Sequence, residues 1–188
     1  MAKTKLNPAL ESIQGAIGDL VFKKQGDQNV VARKPDLAGR PPTPSQEAHR
    51  ERFRRAAAYA RSVDADPALK ETYEVLARAR KLPWTALCIQ DYMRPPEILS
   101  VDLSGYTGQI GQTIRIVATD AVRVETVRVT IATADDRLVE EGHATREAGD
   151  VWLYTTTASA PAGQTLKVTA AAADRPGNVT TETRQITP

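Results

Sequence analysis

The sequence predicts an α+β protein: an N-terminal β-hairpin and short helices, followed by an all-β sandwich of two sheets. Three observations lead there. From about Glu97 onward apolar and polar residues alternate with period two. Between Thr43 and Cys88 apolar residues recur instead at helical spacing. Ahead of the helices, two short β-rich runs flank a segment with turn chemistry.

The chain has 188 residues, more than the common single-domain size but too few for two large domains. One compact domain with an accessory region fits that length best. A hydrophobic content of 41% and a charged content of 26% are those of a folded chain, while an aromatic content of 5% limits the size of the core. The net charge of +2 conceals an asymmetry: residues 1–96 hold 17 Lys/Arg against 11 Asp/Glu, and residues 97–188 hold 8 against 12. A basic half suits nucleic acid, an anionic surface or the acidic half of a second copy, and association through it is expected to be salt-sensitive.

The hairpin is read from Asp19-Leu-Val-Phe-Lys-Lys24 and Asn29-Val-Val-Ala-Arg33, separated by Gln25-Gly-Asp-Gln28. Gly15 and Gly18 predict a tight bend just before it. Two strands alone are marginal in water, so this hairpin needs a partner surface, either its own helices or another subunit. Lys34-Pro-Asp-Leu-Ala-Gly-Arg-Pro-Pro42 is a connector, since its prolines and glycine block both helix and ladder.

The first helix opens on Thr43 as N-cap, Pro44 as first helical residue and Gln46 as capping-box partner, and Phe53, Ala56, Ala57, Ala60 and Val63 form its apolar stripe. Asp66-Pro67 starts a second helix that buries Leu69, Tyr73 and Leu76. A third follows Pro83 and buries Trp84, Leu87 and the single cysteine, Cys88. One cysteine gives no disulfide framework. Arg94-Pro-Pro-Glu97 is read as the boundary between a hairpin-plus-helices region, 1–94, and the sandwich, 97–188.

Within the sandwich, Ile114/Ile116/Ala118, Val127/Val129/Ile131 and Leu166/Val168/Ala170/Ala172 each alternate with polar residues. Further strands are placed at Ile98–Leu103, Leu138–Gly142, Val151–Thr157 and Val179–Ile186, giving about seven in all, the number expected of a sandwich. The runs TIRIVATDAVRVETVRVTI and VWLYTTTASAPAGQTLKVTAAAADRPGNVTTET, with their AxDRPGN turn, resemble the bacterial immunoglobulin-like modules of adhesins and phage virion proteins. That resemblance implies an immunoglobulin-like fold with a binding, spacing or decorating role. The segments GAIGDLVFKK, VVARKPD and PSQEAHRERFRRAAAYA are similar to uncharacterised bacterial and phage-encoded proteins, which implies a particle component.

No catalytic constellation accompanies this fold. The two histidines, His49 and His143, have neither a nucleophile elbow nor a spaced partner, and one cysteine with two distant histidines does not make a zinc set. No phosphate-binding loop or dinucleotide fingerprint occurs. The pairs Gly15/Gly18 and Gly108/Gly111 have the G-x-x-G spacing of a nucleic-acid clamp, without its helical context. The acid pairs Asp135-Asp136 and Glu140-Glu141 read as solvated turn and strand-end residues; Asp120 and Asp174 read as turn caps, or else as sharers of a cation at one pole of the sandwich.

The expectation is therefore a non-enzymatic structural or assembly protein without cofactor or metal, plausible as part of a phage-like particle. Other protein subunits, in a homo-oligomer or particle, would be its partners. Leu20, Phe22, Val30 and Val31 are the candidate strand contacts, and Arg50, Arg54 and Arg55 the candidate charged contacts, although Glu51 can pair with Arg55 at i,i+4. A glycan- or protein-binding module with an N-terminal anchor, and a DNA-associated protein using the basic helix, are the alternatives. Without a signal peptide or a ~20-residue apolar span, cytoplasmic synthesis is expected, with residence in a virion or assembled particle open.

Overall fold

The computed structural model of the chain describes residues 2–4, 14–25, 28–36 and 41–188. Among these residues, three helices and three four-stranded antiparallel sheets make an α+β protein. Packing divides the chain into two units, Met1–Pro44 and Ser45–Pro188.

In the first unit, β1 (Ala2–Thr4), β2 (Gly15–Ile17), β3 (Leu20–Gln25) and β4 (Gln28–Arg33) form one sheet in the order β1-β4-β3-β2. The hairpin read from the sequence is β3–β4, paired from Leu20↔Arg33 to Gln25↔Gln28. The centre of its turn, Gly26-Asp27, lies outside the described residues. The bend expected at Gly15 and Gly18 is a second hairpin, β2–β3, with Gly18 at φ 57°, a left-handed conformation that costs glycine least.

The second unit begins with α1 (Pro44–Asp64), α2 (Pro67–Ala79) and α3 (Trp84–Met93). Proline opens α1 and α2, where its missing N–H is no loss. Asp66 caps α2: one carboxylate oxygen accepts from the N–H groups of Ala68 and Leu69, each at 3.1 Å. Ala60 and Val63 of α1 pack with Tyr73 and Ala77 of α2 and with Leu87 and Cys88 of α3. Phe53 lies outside this core at 48% exposure, so the buried stripe of α1 begins at Ala56, one turn later than the spacing predicts.

The remaining strands are β5 (Glu97–Asp102), β6 (Thr113–Thr119), β7 (Val124–Thr133), β8 (Leu138–His143), β9 (Thr145–Arg146), β10 (Val151–Thr155), β11 (Leu166–Asp174) and β12 (Val179–Ile186). They make two sheets, ordered β5-β6-β10-β9 and β12-β11-β7-β8. Ile114, Ile116 and Trp152 of one sheet share a single core with Val127, Val129, Ile131, Val168 and Ala170 of the other. Strict alternation of burial along β11 is the structural form of the period-two pattern. Register shifts interrupt it at Ile98/Ser100 and Ile131/Ala132, and the extra residue of the first, Leu99, is exposed.

The helices belong with these sheets. Val122, in the loop between β6 and β7, packs against the helical core, and the Asn178 side-chain amide donates to the backbone carbonyls of Asp91 and Tyr92. The division by packing falls at Pro44/Ser45, while the change of pattern read from the sequence falls at the Pro95-Pro96 pair, between 1–94 and 97–188. Those prolines separate two kinds of secondary structure, α3 before them and β5 after.

Gly142 on β8 is required by close approach. A Cβ at this position stands 2.9 Å from the ring of Tyr154, which is buried and held. Gly142→Ala is expected to cost about 1–3 kcal/mol through displacement of that ring, measured as a lower urea midpoint with an unchanged slope.

Candidate functional site

The structure brings together only some of the expected contact residues. Directly paired residues of antiparallel strands point to the same side. Phe22 opposes Val31, and Leu20 opposes Ile17, so these four share one face of the N-terminal sheet. Val30 opposes Lys23, lies on the other face and is the buried one. Leu20 is 45% exposed and Ile17 69% exposed. Ile17 escaped the sequence reading because β2 is three residues long, too short for a visible alternation.

Arg50, Arg54 and Arg55 lie on the exposed N-terminal half of α1. Glu51 already pairs with two of them, with Arg54 at 2.9 Å and Arg55 at 3.2 Å. Exposed pairs of this kind stabilise little and exchange readily for other partners. His49 and His143 are both exposed.

A second constellation lies at the seam between helices and sheets. Asp91 of α3 is almost fully buried and accepts a 2.5 Å hydrogen bond from the Tyr73 hydroxyl, which is in turn 2.8 Å from the hydroxyl of Tyr59. Asp120 and Asp174 approach Asp91 from the β6–β7 loop and the β11–β12 turn. As read from the sequence, both cap turns: Asp120 accepts from the N–H groups of Val122 and Arg123, and Asp174 from the backbone and side chain of Asn178. Asp91 and Asp120 are within hydrogen-bonding reach of each other, yet Oδ1 of each is buried with no donor.

Burial, reinforced by Asp120 and Asp174 and opposed by the Tyr73 hydrogen bond, pushes Asp91 up to about 7. Burial also raises Asp174 and pushes the Cys88 thiol up to about 12, so that thiol is inert. Among the described residues, no three His, Cys, Asp or Glu side chains stand close enough together to hold a metal ion.

In front of Tyr73 a half-enclosed cleft of about 260 Å³ opens between α2 and the sheets. Leu69, Leu76 and Val122 give it apolar walls, and Arg123, Arg146 and Arg175 converge on it from three separate segments, beside Glu125. Sequence reading missed this site because its arginines are spread over 52 positions, from 123 to 175, and no local spacing links them.

Glu140 corrects another expectation. It is buried, not solvated, and its Oε2 accepts from the Tyr154 hydroxyl at 3.0 Å, from Thr157 N–H and Oγ1 at 2.8 Å each, and from Ala158 N–H at 3.2 Å. It thereby ties β8 of one sheet to the chain leaving β10 of the other. Glu141 is exposed and pairs with Arg128 at 3.3 Å, while Asp136 pairs with Lys167 at 2.8 Å.

What fold and site define is a class: an α+β protein with a four-stranded N-terminal sheet in one unit and, in the other, three helices packed with two further antiparallel sheets. No protein-family model and no curated protein matches the chain. Among the described residues, no helix is long and apolar enough to cross a membrane.

Proposed function

We propose that the protein is a non-enzymatic structural or assembly component that self-associates through its N-terminal unit and presents the double sheet as a projecting or decorating module. The observation that carries this reading is the poverty of the N-terminal sheet's interior. Of its described side chains only Val30 is buried, whereas Ile17 and Leu20 stand exposed beside Phe22 and Val31. A small sheet with an uncovered apolar face gains most of its stability from a partner surface.

Charge supports a second copy as that partner. The basic half of one chain complements the acidic half of another, and Arg50 makes no ion pair among the described residues. The immunoglobulin-like reading of the double sheet is supported by strand order. Taking β5, β6, β7, β10, β11 and β12 as strands A, B, C, E, F and G gives A-B-E in one sheet and G-F-C in the other. A role in a phage-like particle rests on the sequence resemblance alone.

Light scattering on the full chain tests the proposal. The native protein is expected to be oligomeric and to dissociate with added salt, and the double substitution Ile17→Lys with Leu20→Lys is expected to yield monomers with an unchanged circular dichroism spectrum. A native protein that stays monomeric at low salt would rule self-association out.

A further inference from the structure

We propose that the cleft at the helix–sheet seam binds a small amphipathic anion, its phosphate or carboxylate head held by Arg123 and Arg146 and its apolar body lying on Leu69, Leu76 and Val122. This goes beyond the assembly reading and does not depend on it.

The charge balance of the cleft points to an anion. Three guanidiniums line it against one carboxylate, and Glu125 is committed to Arg175, at 2.7 and 2.9 Å. That leaves Arg123 and Arg146 with no acidic partner among the described residues. Arg146 is held in place: its Nε donates to the Gly149 carbonyl at 2.9 Å, and its guanidinium lies over the Trp152 ring, 5.8 Å from the centroid. Two of its nitrogens remain for a ligand. Arg123 is positioned by its backbone, since its own N–H is anchored on Asp120. Guanidiniums set on fixed backbone lose little entropy on forming paired bonds to an oxyanion.

Shape sets the size of the ligand. The cleft, at about 260 Å³, falls below the roughly 300–1,000 Å³ of pockets for drug-sized molecules. It suits a single ring or short chain bearing one acidic head. Its inner wall includes Tyr73, whose hydroxyl is turned to Asp91, so that wall offers the ligand ring carbon and not a donor.

Titration calorimetry on the full chain, with phenyl phosphate and benzoate as probes and phenol as the uncharged control, tests the site. Saturable binding of at least one of the two anions is expected, with phenol at least about 10-fold weaker. Two variants separate head from body. Arg123→Gln with Arg146→Gln removes the charge at exposed positions, and Thr72→Trp, also exposed, fills the mouth without changing charge. Each is expected to weaken the anion at least about 10-fold; the ligand-free melting temperature stays unchanged in Thr72→Trp and falls by no more than a few degrees in the arginine variant, which gives up the Arg146 contacts to Gly149 and Trp152. The proposal is overturned if neither anion binds at millimolar concentration, or if binding survives in either variant. Survival in Thr72→Trp would mean ion pairing outside the cleft, and survival in the arginine variant would mean a cavity indifferent to charge.

Discussion

Glu140→Ala is expected to cost on the order of 4 kcal/mol and to lower the melting temperature by roughly 10 °C. The substitution does more than delete a side chain. It leaves the buried Tyr154 hydroxyl and the N–H groups of Thr157 and Ala158 without the oxygen that accepts all three. The buried Tyr154 hydroxyl left alone costs about 1–3 kcal/mol, and the part-buried hydrogen bonds lost from Thr157 and Ala158 add about 0.5–1.5 kcal/mol each, so the sum outweighs what a typical surface change does. Glu140→Gln keeps the shape and one acceptor oxygen and is expected to lose about half as much. Thermal and urea unfolding of both variants provide the check. Equal stability of native and Glu140→Ala protein would mean that β8 and the post-β10 segment are held by something else.

Stability is also expected to fall as the pH rises from about 4 to about 7, the reverse of ordinary acid denaturation. The sign follows from Asp91. Its native pKa, about 7, lies above that of the unfolded chain, so between those values the native state binds more protons than the unfolded one. The contribution is complete below the ordinary carboxylate range and is lost as pH climbs through the native value. A difference of about three pH units amounts to on the order of 4 kcal/mol. Asp174, raised by the same burial, adds in the same direction, while Asp102 and Asp135, lowered by hydrogen bonds to Ser104 and Thr133, act oppositely at acid pH. Asp91→Asn isolates the cause. Its amide can still accept from Tyr73 and can donate to Asp120 without a proton, so urea midpoints across this range are expected to flatten. A variant as pH-sensitive as the native chain would clear Asp91 of responsibility.

Most of the secondary structure was legible because it is written locally. The Asp66-Pro67 start, the hairpin over residues 19–33 and the strands around Ile116, Val129 and Val168 all rest on spacings within one element. What was not legible joins distant residues. Glu140 looks like a solvated acid beside Glu141 until Tyr154 and Thr157 are brought against it. Asp91 goes unremarked within the third helix, and only the arrival of Asp120 and Asp174 gives it chemistry. Both turn acids were recognised as caps, for the good reason that capping is a short-range property; their third neighbour was not foreseeable. The packing of helices onto sheets was hidden on the same ground. Proline reports where backbone pairing stops, whereas the extent of a packed body depends on side chains such as Val122 and Asn178 meeting helices many residues away.

The clasp from Asn178 to the carbonyls of Asp91 and Tyr92 spans 87 and 86 residues of chain. Its closure must wait for the β11–β12 hairpin that carries Asn178, which leaves the ribosome after the helices it clasps. During synthesis the helices are finished before β11 and β12 exist, and the clasp on Asp91 and Tyr92 stays open until those strands have paired. The clasp therefore forms only in a chain whose β11–β12 hairpin has formed. Loop-closure entropy places its formation at the end of the folding reaction, so substitutions there are expected to alter the rate of unfolding far more than the rate of folding.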